Sequence, residues 1–404
     1  MTHANDYDLT IIGGGLVGAS LAVALAGTDW RVALIDQQAL RRLSDEADED
    51  ERSLALSWQS GKIFQRLGVW EAIAQRAAPM RTVHVSQQGS FGVTRLRAAD
   101  LRVGALGHVV PYRHLAATLN ARIEGQTNLT RLAPARLAGL RATPGGVAVD
   151  LDQEGKTTTL TTRLLVGADG GRSNVRQHLG MPARETAYHQ QAIVANITVS
   201  HGPDKVAFER FTAEGPMAML PLGESRYSLV WTGDEATTAR RMALPDGAFL
   251  DALQRAFGYY AGRLISAGRR ETFPLRQAVA TRVTSRRCAL VGNAAHLLHP
   301  VAGQGLNLAL RDVAALASLL ASANDPGHPD LLARYAQLRM TDIRLTAEAT
   351  DKLIRLFADP SALMRHQRGA GLCLLDKLPP VKNRLARFGM GLRRPLAAQL
   401  GSLP

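Results

Sequence analysis

The feature that most restricts the fold of this chain is a glycine-rich turn near the N-terminus, between an apolar strand and an Ala/Leu-rich helix. Residues 7–12 have the continuous apolar character of a buried parallel strand, and Gly13, Gly15 and Gly18 then give the pattern G-x-G-x-x-G. A second apolar strand ends in Asp36, roughly 20 residues further on, where a carboxylate can bind a ribose. The helix start offers bare N–H groups to a pyrophosphate. The pattern predicts a dinucleotide-binding α/β unit, but it does not separate FAD from NAD.

The composition is that of a folded globular chain of two or three domains. Its 404 residues are 46% hydrophobic and 21% charged, which is enough apolar material for a sizeable core. Cys288 and Cys373 lie far apart without metal-ligand spacing, so we interpret them as reduced core thiols, which suits the cytosol. The uncharged stretch 9–27 follows Asp6 and Asp8 and is broken by glycines. We therefore expect neither a signal peptide nor a membrane span.

The net charge of +13 is concentrated at the C-terminal end. Residues 361–404 contain eight Lys or Arg residues and one acidic residue, Asp376. Such a tail is typical of a surface that meets nucleic acid, an anionic membrane or an acidic partner. A solvated basic face without a partner is an equal alternative. Aromatic residues make up only 5% of the chain, and no basic stripe interleaves with them, which disfavours nucleic-acid binding.

Two further stretches carry groups that a dinucleotide needs. Arg52 follows closely after the second strand and precedes a helix that is predicted to run through about Ala74, and its guanidinium could bind a pyrophosphate in bidentate fashion. Pairing with the acidic loop 45–51 is the alternative. Residues 129–165 have the pattern of a small antiparallel set and end in an apolar strand that runs into Asp169 and Gly170. This tight turn would hold a carboxylate at the carboxyl edge of the sheet. A bare A-D-G tripeptide is usually only a turn, but here it is the second such turn in one chain.

The third glycine-rich turn lies between a buried strand that ends at Val291 and an apolar helix that begins near Leu306. The loop between them contains Pro300 and the sequence Gly303-Gln304-Gly305. Two glycines at a helix start leave N–H groups that point at one place and favour an anion or an electron-rich edge of a ligand. A plain helix start with a glycine cap is the alternative, and it weakens when the three turns are considered together.

The middle of the chain has the pattern of antiparallel strands, in residues 79–108 and 185–273. Because these strands are rich in Met, Phe and Trp, they could line an apolar substrate pocket, although ordinary core packing explains most of the side chains one by one. We predict an α/β fold with three parts: a discontinuous dinucleotide-binding domain (1–78, 109–184 and 274–360), an inserted substrate domain (79–108 and 185–273) and a basic helical C-terminal region (361–404).

These turns, taken in order, resemble the class A flavoprotein aromatic monooxygenases, which have the para-hydroxybenzoate hydroxylase fold. The resemblance runs from Tyr7 to about Thr350, and its third motif is G-N-A-A-H followed by P-V-A-G-Q-G-L-N. Within that class the chain is similar to the ubiquinone-biosynthesis hydroxylases that act on a 2-polyprenyl-6-methoxyphenol. The segments that carry this narrower match are 52–56, 207–212, 215–221, 228–231, 290–295 and 299–305. Asn293 departs from the Asp of most class A members, but some ubiquinone hydroxylases share it, and Asn still hydrogen-bonds a ribityl chain.

The resemblance implies a role for each residue of an FAD site. The first turn and Arg52 would bind the pyrophosphate, and Asp36 would bind the adenosine ribose. Asp169 and Gly170 would lie near the adenine half and the domain junction, and Asn293 would bind the ribityl chain or phosphates. Pro300 would pack beside the flavin ring, and Gly303, Gln304 and Gly305 would stabilise negative charge at its pyrimidine edge. The full set of implied cofactor-binding residues is Gly13, Gly14, Gly15, Leu16, Val17, Gly18, Asp36, Arg52, Arg113, Asp169, Gly170, Gly292, Asn293, Gly303, Gly305, Leu306 and Asn307.

The implied reaction is hydroxylation of an aromatic ring by FAD, NAD(P)H and O₂ through a flavin hydroperoxide. No second nucleotide-binding fingerprint is present for the nicotinamide, which fits a class in which it docks transiently. The implied substrate is a prenylated methoxyphenol with a lipid-soluble tail. We therefore expect a cytoplasmic protein whose basic C-terminal region contacts the cytoplasmic face of the inner membrane and which associates with other proteins of ubiquinone biosynthesis.

Several alternatives stay open from the residues alone. Sister ubiquinone hydroxylases that act at another ring position share these motifs, and a basic membrane- or nucleic-acid-binding protein is an alternative of a different class. A prenyl reductase or a halogenase of related fold is a third, but the Trp-x-Trp signature of the halogenases is absent. His296 and His299 lie three residues apart without an evident third ligand, so we expect no metal site.

Overall fold

The computed structural model describes residues 5–38, 52–359 and 361–392. The acidic loop 45–51 and the basic residues Arg393 and Arg394 lie outside these ranges. No helix in the described ranges is long and apolar enough to cross a bilayer.

The described residues form a mixed α/β fold, as predicted. The strands in chain order are β1 (Tyr7–Ile12), β2 (Val32–Ile35), β3 (Ser53–Ser57), β4 (Ala78–Met80), β5 (Thr82–Gln87), β6 (Val93–Arg97), β7 (Gly107–Pro111), β8 (Leu129–Leu132), β9 (Arg136–Ala142), β10 (Val147–Gln153), β11 (Lys156–Gly167), β12 (Ala183–Val199), β13 (Val206–Thr212), β14 (Gly215–Gly223), β15 (Arg226–Asp234), β16 (Leu264–Ala267), β17 (Glu271–Ala280), β18 (Thr284–Ser285), β19 (Cys288–Leu290) and β20 (His296–Leu297). The helices are α1 (Leu16–Ala24), α2 (Trp58–Arg66), α3 (Trp70–Ala74), α4 (Tyr112–Glu124), α5 (Asn174–His178), α6 (Glu235–Met242), α7 (Asp246–Phe257), α8 (Gln304–Leu320), α9 (Pro329–Ala358), α10 (Ala362–Lys377) and α11 (Pro379–Gly389).

The first sheet has a parallel centre in the order β19-β11-β1-β2-β8. Its strands are continuous apolar runs because both faces are covered: β1 is buried from Asp8 to Ile12, and β2 is buried throughout. Helix α1 packs on α4 and α8 beside this sheet. Since the five strands are parallel, their carboxyl ends share one edge of the sheet, which is where ligands bind in open α/β folds.

The second sheet is mostly antiparallel and has the order β20-β17-β12-β15-β14-β13-β5-β6, with β16 beside β12. Side chains alternate between its two faces. One face packs on α7, where Phe208 and Trp231 form a buried cluster with Phe249 and Phe257. The other face is turned toward the loop that carries Pro300, because Phe211 shares a cluster with Val301.

The C-terminal helices are fastened to the second sheet by polar contacts. The Thr94 hydroxyl donates to the carbonyl of Leu372 at 2.7 Å, and the Arg95 N–H donates to the Asp376 carboxylate at 2.8 Å. Lys382 is buried and pairs with Asp100 at 3.3 Å and with Asp376 at 3.7 Å. Part of the basic charge of this region therefore serves packing and is not available at the surface.

Several predicted element boundaries were wrong. The helix expected to run through Ala74 is two helices, α2 and α3, because Gly68 has a φ of +69° that a helix interior does not adopt. Helix α8, which was predicted to begin near Leu306, begins two residues earlier at Gln304. Strand β8 was assigned to an antiparallel set, but it pairs in parallel with β2. The division of the chain into domains stays a prediction, although the second sheet extends beyond 273 to include β17 and β20.

Candidate functional site

Four of the predicted site segments meet at the carboxyl edge of the first sheet. Gly13 follows β1, Asp36 follows β2, Asp169 follows β11, and Gly292 follows β19. The backbone joins them directly: the N–H of Gly13 donates to Ile35, that of Ala168 to Ile12, and that of Val291 to Gly167. The parallel register therefore brings together Gly13 and Gly292, which are 292 − 13 = 279 positions apart in the sequence.

Gly13 and Gly18 are required by close backbone contact. A Cβ on Gly18 would lie 1.8 Å from the carbonyl oxygen of Gly13, and a Cβ on Gly13 would lie 2.5 Å from that of Ala168. Gly13 also has a φ of +109°, a region that L side chains rarely adopt. These contacts lock the first turn against β1 and the end of β11.

Gly15 and Gly305 have the opposite environment, since a Cβ at either position would meet no atom within 4 Å. Gly15 is the N-cap of α1, and Gly305 is the second residue of α8. Neither helix has a side chain that caps its first N–H groups. Both helix starts therefore present backbone N–H groups and a positive dipole end to open space.

Two carboxylates border this space. Asp36 lies against Gly14, whose Cβ would be 2.3 Å from the Asp36 Oδ2 atom; its Oδ1 atom accepts the N–H of Gln38 at 3.0 Å. The Oδ2 atom of Asp169 accepts the N–H of Val175 at 3.1 Å. Its Oδ1 atom is buried and has no hydrogen-bond partner in the described ranges. Such an orphaned acceptor is costly unless a ligand satisfies it.

The predicted arginines lie at the end of the β3–β7 pair. The guanidinium of Arg52 stacks over the ring of Tyr112 at 4.3 Å, and the backbone N–H of Tyr112 donates to the Arg52 carbonyl at 2.9 Å. Arg113 is the next residue of α4. The structure thus places the two arginines at neighbouring positions of the fold.

Asn307 holds the start of α8 in place with its side chain. Its Oδ1 atom accepts the N–H of Ser57 and the hydroxyl of Ser60, both at 2.7 Å. Its Nδ2 atom donates to the carbonyls of Ala55 at 2.8 Å and Gly303 at 2.6 Å. The amide is buried, and its bonds go to protein groups, so the side chain of Asn307 positions the loop. Gly303 itself has a φ of +59°, which favours glycine.

A buried ionic network, absent from the sequence prediction, supports the Gly292 turn from behind. The Asp312 carboxylate accepts the Gly292 N–H at 2.9 Å and pairs with His296 at 2.5 Å and Arg339 at 2.6 Å. Arg339 also donates to Asp342 at 2.9 Å. The side chains of Asp312 and His296 are fully buried. This network fixes the turn while Asn293 remains exposed beside it.

The charges of this network stabilise one another. Burial by itself would raise the pKa of Asp312, but His296 and Arg339 outweigh it, so the pKa of this carboxyl lies below its ordinary value. Burial would likewise lower the pKa of Arg339, whereas Asp312 and Asp342 raise it above the usual range. Asp312 and Arg339 therefore both stay ionised at neutral pH, because each buried charge has an oppositely charged partner.

Pro300 is exposed, and its neighbour His299 is buried. The His299 Nδ1 atom accepts the N–H of Val301 at 3.2 Å, and its ring meets that of Tyr188 edge-on with centroids 5.1 Å apart. Burial lowers the pKa of His299 to about 4, so the ring is neutral at pH 7. It shapes the loop as an uncharged group.

The remaining predicted site residues lie at the two helix starts and in the turn after β11. Leu16 and Val17 begin α1, Gln304 is the buried first residue of α8, and Leu306 follows in its first turn. Gly170 has a φ of +85° and open space around it. The described residues contain no group of His, Cys, Asp or Glu that could hold a metal ion.

Comparisons with known proteins agree with this geometry. Residues 6–349 match the family model described as an FAD binding domain. Ubiquinone hydroxylase UbiL of Rhodospirillum rubrum is 37% identical over 95% of this chain and 89% of its own length. The 3-demethoxyubiquinol 3-hydroxylase of Escherichia coli is 30% identical over 95% of this chain and 98% of its own length. In fold, the chain resembles the crystal structure of p-nitrophenol 4-monooxygenase PnpA from Pseudomonas putida, with a TM-score of 0.77, 16% identity and coverage of 96% and 99%.

The chain therefore belongs to the FAD-dependent aromatic monooxygenases, in the family of the ubiquinone-biosynthesis hydroxylases. Its site fits that cofactor on structural grounds. Two uncapped helix starts with open glycines suit a pyrophosphate and an electron-rich ring edge. The orphaned Oδ1 atom of Asp169 suits a ligand that donates a hydrogen bond.

Proposed function

We propose that this protein hydroxylates the aromatic ring of a polyprenyl-methoxyphenol on the way to ubiquinone, with FAD as cofactor and NAD(P)H and O₂ as co-substrates. The observation that carries the proposal is the 37% identity to a ubiquinone hydroxylase over 95% of the chain. The proposal is also supported by the apolar face of the second sheet that is turned toward the Pro300 loop, since Val85 and Phe211 lie in one cluster with Val301 of that loop. An aromatic ring with a hydrocarbon tail suits such a face.

Each part of the site would do one task in this reaction. FAD, when bound, supplies the redox and oxygen chemistry. The start of α1, from Gly13 to Gly18, would bind the pyrophosphate, with Arg52 and Arg113 as cationic neighbours and Asp36 on the ribose. Asp169 would accept a hydrogen bond through its Oδ1 atom, which has no described partner.

The second helix start would act on the reacting end. Gly292 and Asn293 would hold the ribityl chain, and Pro300 would pack beside the ring. The N–H groups from Gly303 to Asn307 and the dipole of α8 would stabilise negative charge at the pyrimidine edge of the ring. Helix α8 is buried along most of its length, so these dipoles are fixed before the substrate arrives.

The pathway step is tested by quinone intermediates in cells that lack this protein. We expect them to accumulate 2-polyprenyl-6-methoxyphenol, and the purified yellow protein should hydroxylate it at the expense of NAD(P)H. Accumulation of a later quinone would move the assignment to a hydroxylation at another ring position. The E. coli relative, whose name places it at such a step, makes that the second candidate. A colourless protein that does not take up FAD would contradict both.

We also propose that α10 and α11 contact an anionic membrane surface. Five apolar side chains project from them into solvent, namely Leu363, Leu374, Leu378, Val381 and Leu385, which are between 41% and 69% exposed. Lys377, Arg384 and Arg387 are exposed among them, whereas the described acid of this region, Asp376, is partly buried near Lys382. Apolar side chains flanked by positive charge suit a bilayer with acidic headgroups.

Deletion of residues 361–404 would not test this contact cleanly, because α10 is bonded to β6. We suggest the double substitution Leu374→Ser and Leu378→Ser, with Tyr259→Ser as control at a 73% exposed aromatic outside these helices. The double variant should sediment less with phosphatidylglycerol vesicles, and the control should not. Unchanged sedimentation, or equal binding to phosphatidylcholine, would refute an electrostatic membrane contact.

A further inference from the structure

A glutamate lies on the face of the second sheet that is turned toward the Pro300 loop. On β13, Phe208 packs with the α7 cluster on the far face, so Ala207, Glu209 and Phe211 share the opposite one. Phe211 belongs to the cluster that includes Val301. Glu209 is therefore placed between two residues whose side chains reach the loop side of the sheet.

Ala207, at the other end of the row formed by Ala207, Glu209 and Phe211, also has identified neighbours. Ala207 is buried with Val109 and lies in a cluster that includes Ala55 and Leu220. Ala55 is the residue that a Cβ on Gly303 would approach at 3.1 Å. Glu209 thus projects into the interval between Ala55, beside the α8 start, and Val301, beside Pro300.

Apolar residues surround Glu209 in the sheet. Its register partners are Val85 on β5 and Ala218 on β14, and Val230 on β15 is paired with Ala218. Cross-strand partners lie on the same face. No hydrogen bond or ion pair reaches Glu209 from within the described ranges. The side chain is partly buried, so it retains some accessible area, as a group that lines a cavity does.

We propose that Glu209 binds the phenol hydroxyl of the substrate and accepts its proton. This assignment rests on the function proposed above. The O–H bond of the phenol breaks, its electron pair stays on the phenol oxygen, and the proton bonds to a carboxylate oxygen of Glu209. The phenolate is richer in electrons than the phenol, so its ring carbons react more readily with an electrophilic oxygen. Val85, Ala218 and Val230 form the apolar surroundings that the ring and its methoxy group need.

The protonation chemistry of the site matches this task. Burial raises the pKa of Glu209 from 4.5 to about 8, whereas a phenol such as a tyrosine side chain has a pKa of about 10. An ordinary carboxylate is a poor base for such a proton, and the raised value reduces the mismatch. Glu209 is protonated in most molecules at pH 7 and ionised above pH 8, so the rate of hydroxylation should rise through that range.

The test compares Glu209→Gln with Glu185→Gln, a matched change at an exposed glutamate on β12 of the same sheet. The substrate is a 2-prenyl-6-methoxyphenol with a single isoprene unit, and FAD content and thermal midpoint confirm folding. We expect Glu209→Gln to lose about 100-fold or more in hydroxylated product and to lose the rise in rate near pH 8. NAD(P)H oxidation should continue with release of hydrogen peroxide. Glu185→Gln should behave as the wild type.

A second readout does not depend on turnover. The ultraviolet spectrum of the bound phenol at pH 9 should show the phenolate in the wild type and the neutral phenol in Glu209→Gln. Wild-type product formation with an unchanged pH profile and an unchanged spectrum in Glu209→Gln would overturn the role of Glu209 alone. A wild type that binds FAD but hydroxylates no methoxyphenol would overturn the proposed function, and the assignment of Glu209 with it.

Discussion

The starts of α1 and α8 present the same open N–H groups, but they are held in different ways. At α1 the support is backbone against backbone, since Gly18 packs on Gly13, and Gly13 packs on Ala168. At α8 it comes from side chains: Asn307 ties the start to β3. The neighbouring turn at Gly292 is likewise held by the carboxylate of Asp312.

This difference explains which part of the site the sequence predicted well. Contacts between backbones require glycine at fixed spacing, so the first turn is readable from Gly13, Gly15 and Gly18 alone. Support by side chains produces no fixed local spacing that could be recognised in the sequence, because the side-chain partners of Asp312 are 16 and 27 residues away. Substitutions should therefore impair the start of α1 through backbone clashes and the start of α8 through the loss of side-chain bonds.

The largest loss of stability is expected from a substitution at the start of α1. In Gly18→Ala the new methyl group would lie 1.8 Å from a backbone oxygen, and a backbone cannot swing aside as a side chain can. We expect a loss of about 3 kcal/mol in the free energy of unfolding and failure to retain FAD. Chemical denaturation and the flavin absorbance of the purified protein measure both. Gly125→Ala, at an open position with a φ of −91°, should cost little. Equal stability of the two variants would refute the backbone lock.

A smaller effect is expected from Asp312→Asn, which removes the charge that faces His296 and Arg339. Breaking a buried ion pair leaves the charge of Arg339 with less compensation. We expect the free energy of unfolding to fall by about 3 kcal/mol or somewhat less, because Asp342 remains beside Arg339. Because the folded-state pKa of Asp312 is depressed, its contribution is present above its unfolded value of 3.8 and disappears as the pH falls through the lower folded value. The stability gap between wild type and variant should thus be full at pH 7 and narrow in acid.

Denaturation at several pH values checks this sign, with Asp251→Asn as control at an exposed position of α7. A gap that widened as the pH fell would contradict the ionised state assigned to Asp312. FAD affinity should also decrease in Asp312→Asn, because the Gly292 N–H loses its charged acceptor.

The smallest effect on stability is expected from Asn307→Ala. It leaves the Ser57 N–H and the carbonyls of Ala55 and Gly303 without their present partner, at a cost of about 2 kcal/mol. The loosened start of α8 should weaken FAD binding by about 10-fold while α1 is unaffected. Asn120→Ala, which removes one hydrogen bond to Arg131, is the control. FAD affinity equal to that of the control would show that Asn307 does not position the helix start.

The sequence predicted the fold class, the order of the three turns and the positions of Asp36, Asp169 and Gly303 because each follows an apolar strand or opens a helix. It did not reveal Arg339 or Glu209. Arg339 lies within a long amphipathic helix in which most of the other charged residues are exposed, and only the packing of α9 on α8 identifies it as buried. Glu209 follows a strict alternation on β13, but which face is turned toward the site depends on the pairing of β13 with β5, a contact across more than 120 residues.

The sequence also misplaced β8 and missed α6. Strand β8 has the same short apolar pattern as the hairpin strands that follow it, so its parallel pairing with β2 depends on the crossover through α4. Helix α6 begins at a capping residue, Asp234, whose carboxylate accepts the N–H of Thr237 at 2.7 Å. That capping signal was present in the sequence and could have found the helix.

The most direct test of the central claim, that the start of α8 binds the flavin ring, is the FAD dissociation constant of Gly305→Val. The position is open, so the fold should be kept, and Gly247→Val is the matched control because Gly247 is likewise open and is the second residue of α7. We predict that Gly305→Val folds like the control but binds FAD at least about 100-fold more weakly, because its side chain fills the space in front of the N–H groups. Wild-type FAD affinity and wild-type turnover in this variant would contradict the claim.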